Sequence, residues 1–140
     1  NCLVFESAKQ AAEALAAEEG NLLLATGAKE LAQFGAIPSE RLYPRVLPTL
    51  ESIAACEAAN IPHRNIIAMQ GPFSFALNQA MMEQFHIRWL VTKDGGAAGG
   101  FDEKAAAASA AGAQLVVIRR PPEQGETASE VLKRCKEMIR

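Results

Sequence analysis

The chain has 140 residues, 49% of them hydrophobic and 21% charged, with a formal net charge of −2. A chain of roughly 150 residues buries about two-thirds of the surface its unfolded form exposes, so one domain with an ordinary core is possible without disulfide or metal staples. No apolar run approaches the roughly 18 residues a membrane span requires, and scattered Lys and Arg on a mildly acidic chain argue against a nucleic-acid surface.

Cys2, Cys56 and Cys135 are odd in number and far apart, with no Cys-x-x-Cys and no His pair nearby, which points to a reduced, cytoplasmic setting and gives no metal-ligand spacing. Residues 1–5 have no basic region leading into an apolar one, so they do not read as a secretory signal. The first residue is Asn rather than Met, which makes an excised piece of a longer chain the expectation, with part of any site lying in the remainder.

Ser7 and Gln10 form a capping-box pair, and Ala8 to Glu19 is rich in strong helix formers, so a first helix is expected there, ended by Gly20. Asn21 to Ala25 is a short, continuous apolar run of the kind found in a strand buried on both faces. Similar runs follow at Arg41 to Leu47, Asn65 to Met69, Arg88 to Thr92 and Gln114 to Ile118. Helical patterns lie between them near Lys29 to Phe34, Thr49 to Ala59, Ser74 to Phe85 and Glu103 to Ala111, with a last one at Thr127 to Met138. Strands alternating with helices call for a single three-layer α/β domain, Rossmann-like, with a five-stranded, mainly parallel sheet in order 2-1-3-4-5. Pro44 interrupts the second strand, which is therefore expected to sit at an edge or to start late.

In a parallel sheet every turn from strand to helix lies at the carboxyl edge, where open α/β folds bind ligands. Four turns should converge there. They are Thr26-Gly27-Ala28-Lys29, Arg45-Val46-Leu47-Pro48, Gln70-Gly71-Pro72-Phe73-Ser74, and the loop opened by Lys93-Asp94-Gly95-Gly96 and closed by Gly99-Gly100 before Lys104. Four glycines in six positions let a backbone turn tightly and bring its N–H groups close to a ligand, and Lys93 and Lys104 bracket them with positive charge, so an anionic partner is expected. The alternative is that these glycines serve turns and close helix–strand packing.

These turns resemble the carboxyl-terminal half of the precorrin-6A reductase family of cobalamin biosynthesis. The resemblance rests on Leu24-Ala25-Thr26-Gly27-Ala28-Lys29, Arg45-Val46-Leu47-Pro48, Ile66 to Ser74 with its Met-Gln-Gly-Pro-Phe-Ser sequence, Leu90 to Gly96 with Gly99 to Lys104, and Val117 to Pro121, in that order. It implies NADPH-dependent reduction of one double bond in precorrin-6A, or in its cobalt-bearing counterpart, giving the 6B form. It also implies a partner amino-terminal α/β domain of the same chain, with a tetrapyrrole substrate held between the two. The family commonly has Ser where this chain has Ala28, and Ser-Gly where it has Gly95-Gly96, so two hydroxyl donors are missing here.

A glycine-lined, lysine-bearing edge suits the phosphates of NADPH or the carboxylates of a tetrapyrrole. Gln70, Ser74 and Asn78 read as hydrogen-bonding partners of cofactor or substrate, with Ser74 also a natural helix N-cap. His63, in a polar loop, and His86, at a helix end, read as surface or capping residues, and no metal site is expected. The reading from a different class is a Rossmann-like binding or regulatory module for an anionic nucleotide or metabolite, without redox chemistry.

Overall fold

The computed structural model describes residues 2–93 and 101–119. Six strands form one sheet in the order β1-β6-β5-β2-β3-β4, and every neighbouring pair is parallel. The strands are β1 (Cys2–Phe5), β2 (Asn21–Ala25), β3 (Leu42–Val46), β4 (Ile67–Ala68), β5 (Ile87–Lys93) and β6 (Gln114–Ile118). Four helices, α1 (Ala8–Ala16), α2 (Leu50–Ala58), α3 (Phe75–Gln84) and α4 (Phe101–Ala111), connect them, together with a 3-10 segment, Ala28–Phe34, between β2 and β3.

Alternate residues of the strands feed two cores. Leu22, Leu24, Trp89, Val91, Val116 and Ile118 pack under α1, the 3-10 segment and α2. Leu23, Leu90, Leu115 and Val117 pack with Met81 and Met82 of α3 and Ala105, Ala107 and Ala108 of α4. This makes three layers, and explains why β2 and β6 read as unbroken apolar runs. In α1, Ala8, Ala11, Ala12 and Leu15 supply the buried stripe, and Ser7 caps the helix by accepting from Gln10 N at 3.1 Å.

Two expectations are corrected. The sheet has six strands rather than five, because β1 joins its edge beside β6, with Cys2 opposite Leu115 and Phe5 opposite Ile118. The order is also different: 2-1-3-4-5 would set β2 between β3 and β4, whereas β2 lies between β5 and β3, with β4 outermost. The physical reason is the choice of faces. The 3-10 segment and α2 cover one face and carry the chain outward from β2 through β3 to β4, and α3 then returns it over the other face to the far side of β2. Pro44 is accommodated because β4 pairs only with Arg45 and Val46, leaving Pro44 open on that side. Cys56 is a buried free thiol. The predicted last helix, Thr127 to Met138, lies outside the described residues.

Candidate active-site crevice

The strand order reverses between β2 and β5, and the chain leaves the carboxyl ends of these neighbours toward opposite faces of the sheet. Such a switch point opens a crevice that no connection crosses. A cavity of about 1230 Å³ lies there, beyond the roughly 300–1,000 Å³ that suits a drug-sized ligand and so roomy enough for a larger one. Of the residues expected at a site, Thr26, Gly27, Lys29, Arg45, Gly71, Asn78, Lys93 and Lys104 line it. Gln70 and Ser74 are not among the lining residues. Ser74 caps α3 instead, its Oγ accepting from Leu77 N at 3.1 Å. Asp94, Gly95, Gly99 and Gly100 lie outside the described residues.

At the end of β2 the backbone of Gly27 takes φ 87°, a left-handed conformation that strains any residue with a Cβ. This turn directs the chain into the 3-10 segment and leaves Thr26 Oγ1 buried with no hydrogen-bond partner among the described residues. Buried hydroxyls are nearly always paired, so an orphan on a cavity wall marks a place where a ligand atom can complete the set.

Arg45 comes from β3 and points to the side of the sheet covered by α3. Only 6% of it is exposed. Its Nη1 donates to Asn78 Oδ1 at 2.7 Å, and the guanidinium lies 3.9 Å from the centroid of the Phe73 ring. Asn78 therefore serves within the protein, donating in turn from Nδ2 to Phe73 O at 3.4 Å, rather than standing ready for a ligand. Lys104 of α4 donates from Nζ to Thr92 Oγ1 at 3.4 Å. Burial lowers the pKa of Arg45 to about 10. Lys104 is lowered by burial and then by the charge of Arg45. Among the described residues neither cation has a carboxylate partner, a costly arrangement for buried charge unless an anion completes it.

Lys93 is different. Its Nζ lies 2.7 Å from Glu30 Oε1, so its charge is already matched. Other residues of the cavity wall had been given no ligand role from the sequence, among them Phe73, and Thr49 with Ser52 at the start of α2. Thr49 Oγ1 caps α2 by accepting from Ser52 N at 3.1 Å. A Thr two residues beyond the end of a strand and opening a helical pattern was the available signal. His63 pairs with Glu57 at 3.0 Å on the surface and is not among the cavity residues.

An all-parallel sheet, layered on both faces and opened at its reversal point, defines this as a Rossmann-like α/β unit, with Thr26, Arg45 and Lys104 on the wall of its crevice. The chain belongs to the family described as precorrin-6x reductase CbiJ/CobK, which it matches over residues 1–136. It is 34% identical over 100 residues to the cobalt-precorrin-6A reductase of Priestia megaterium, covering 69% of this chain and 39% of that protein. The corresponding protein of Methanococcus maripaludis is 38% identical over 99 residues, covering 69% of this chain and 38% of its own length. The chain thus spans about two-fifths of the length of these curated relatives. A solved structure of CobK precorrin-6A reductase shares the fold, with a TM-score of 0.69 and 20% identity over 99% of this chain and 56% of that one.

Proposed function

We propose that this chain forms one wall of the active-site cleft of a cytoplasmic, NADPH-dependent reductase that converts precorrin-6A, or its cobalt-bearing counterpart, to the 6B form in cobalamin biosynthesis. The other wall would come from an amino-terminal α/β domain of the same protein, for which the greater length of the relatives leaves room. The observation that carries this reading is the roomy switch-point cavity, lined by Thr26, Gly27, Arg45 and Lys104, in a member of this reductase family.

The residues present fit both ligands. NADPH and a tetrapyrrole substrate are polyanions, and a cavity lined by Thr26, whose hydroxyl has no partner among the described residues, by the buried Arg45 and by the half-buried Lys104, neither of which pairs with a described carboxylate, is the chemistry that receives phosphates or carboxylates. When bound, NADPH supplies the hydride. The tasks left to this chain are to hold the anionic groups at Arg45 and Lys104, to offer Thr26 Oγ1 as a polar contact, and to shield the reacting region from water with Met69 and Phe73.

The test follows the NADPH-dependent spectral change of precorrin-6A and of its cobalt form, with the full-length protein beside this 140-residue chain. Turnover by the full-length protein and none by the chain alone is expected. Turnover by the chain alone would overturn the two-wall arrangement. No change with either substrate would overturn the reductase assignment.

A further inference from the structure

Resting on the reductase reading, we propose that Lys104 is the general acid of the reduction, delivering from Nζ the proton that completes the reduced double bond. Reducing a double bond adds a hydride to one of its atoms and leaves an electron pair on the other. The bound cofactor accounts for the hydride, so the proton is the part of the chemistry still without a source. In the step assigned to Lys104, the electron pair forms a C–H bond with a proton of Nζ as the N–H bond breaks. The neutral amine then regains a proton from water.

The titratable groups among the described residues of the cavity wall are Lys29, Arg45, Glu51, Lys93 and Lys104. A guanidinium keeps its proton at neutral pH, and an ionised carboxyl group such as Glu51 accepts rather than donates. Lys29 is exposed. Lys93 lies 2.7 Å from Glu30, and a carboxylate beside an ammonium holds the proton on it. Lys104 is half-buried and bound to a neutral oxygen instead, its Nζ donating to Thr92 Oγ1 at 3.4 Å. Thr92 Oγ1 spends its own proton on Lys93 O at 3.3 Å, so it acts toward Lys104 as an acceptor and aims the ammonium. Two N–H groups of Nζ then have no partner among the described residues. From α3, packed beside α4, the uncharged Asn78 reaches the same wall. The two lysines of the crevice thus differ in kind: one is neutralised as a clasp, and the other keeps a proton that no described carboxylate retains. Burial, and then the charge of Arg45, lower Lys104 in the free protein, which eases proton release. An anion held beside it returns the proton on binding, so the acid enters the reaction loaded.

The experiment compares Lys104→Arg and Lys104→Gln with wild type in the full-length protein, following reduction of precorrin-6A and of its cobalt form across pH. Arginine keeps the positive charge but not the removable proton, so it separates holding an anion from donating a proton. Both variants are expected to lose about 100-fold or more in kcat, the low end for general acid catalysis, with KM raised chiefly in Lys104→Gln. Wild-type kcat should fall as pH rises through the range of Lys104, and that limb should be missing from both variants. A second measurement needs neither a variant nor turnover: acetylation of the ligand-free protein across pH, read at Lys104 by mass spectrometry, should show it titrating below free Nα-acetyl-lysine. Lys104→Arg with kcat close to wild type, an alkaline limb that persists in both variants, or Lys104 titrating no lower than the free amino acid overturns the proposal and leaves the reductase reading standing. Wild type without turnover of either substrate overturns both.

Discussion

Lys93 Nζ and Glu30 Oε1, 2.7 Å apart, tie the end of β5 to the 3-10 segment that follows β2, so the two turns flanking the crevice are held by one ion pair. The lysine that stood out beside the glycine loop is thus a clasp before it is a ligand contact. Lys93→Ala in the full-length enzyme is expected to cost about 0.2–1 kcal/mol of stability, the range for a partly exposed pair. It should raise KM for NADPH or tetrapyrrole less than Lys104→Gln does. Urea midpoints and steady-state kinetics measure both, and a larger KM effect at Lys93 would return it to the role of principal anion anchor.

Asn78 is the buried acceptor for a charged donor, which makes its two shortest replacements behave differently. Asn78→Ala should lose about 1.5–3 kcal/mol, the range for a hydrogen bond to a charged group. Asn78→Asp keeps an acceptor beside Arg45 and should unfold later than the alanine variant. If urea unfolding shows Asn78→Ala within about 0.5 kcal/mol of wild type, the size of an ordinary surface change, Asn78 does not hold Arg45.

Two glycines with positive φ separate backbone strain from crowding. At Gly27 a Cβ would meet nothing within 4 Å, so Gly27→Ala should cost only the backbone strain of φ 87° with ψ 168°, about 1–3 kcal/mol. At Gly20, with φ +107°, a Cβ would lie 2.7 Å from Arg88 Cβ. Gly20→Ala should therefore be the more damaging of the two, and comparable unfolding midpoints would contradict the packing described between the α1–β2 turn and β5.

The pH dependence follows from the buried Arg45 and the half-buried Lys104. Both have lowered values in the folded protein, so between each folded value and its ordinary one the unfolded chain binds more protons, and the fold gains stability as pH rises through about 10, where Arg45 stands, and above it. A bound oxyanion favours the charged form of Lys104, so binding takes up protons and weakens as pH rises through the range of Lys104. Calorimetry in buffers of different ionisation enthalpy measures that uptake. Uptake undiminished in Lys104→Gln would locate the titrating group elsewhere.

The strands whose signals are strongest were legible to the residue: β2 is Asn21–Ala25 and β6 is Gln114–Ile118, as their apolar runs indicate. β1 was not, because four partly exposed residues at a sheet edge carry no period, and Leu3 is 37% exposed. Strand order was lost for a different reason. Periodicity tells that α3 is a helix, but which face of the sheet it covers depends on Met81 and Met82 meeting Leu23 and Leu90, contacts no local pattern encodes. The crevice was legible in outline, since turns after parallel strands must share an edge. Its electrostatics were not: Arg45 and Asn78 are 33 residues apart, and only the folded sheet turns the one into an anchor and the other into its holder.

The strand order also bears on how the protein folds. The central neighbours β2 and β5 come from distant parts of the chain, and the side chains that flank their junction reach as far: Asn21 Nδ2 bonds Phe85 O across 64 residues, and Trp89 Nε1 bonds Glu19 O across 70. Parallel pairings that close loops of this length are slow to form. The segment from β2 to β4 and the segment from β5 to β6 can each gather local contacts first, whereas the crevice exists only once these two halves dock. A truncation or nick between α3 and β5 should therefore abolish the binding cavity through failed assembly, while each half retains its own helices.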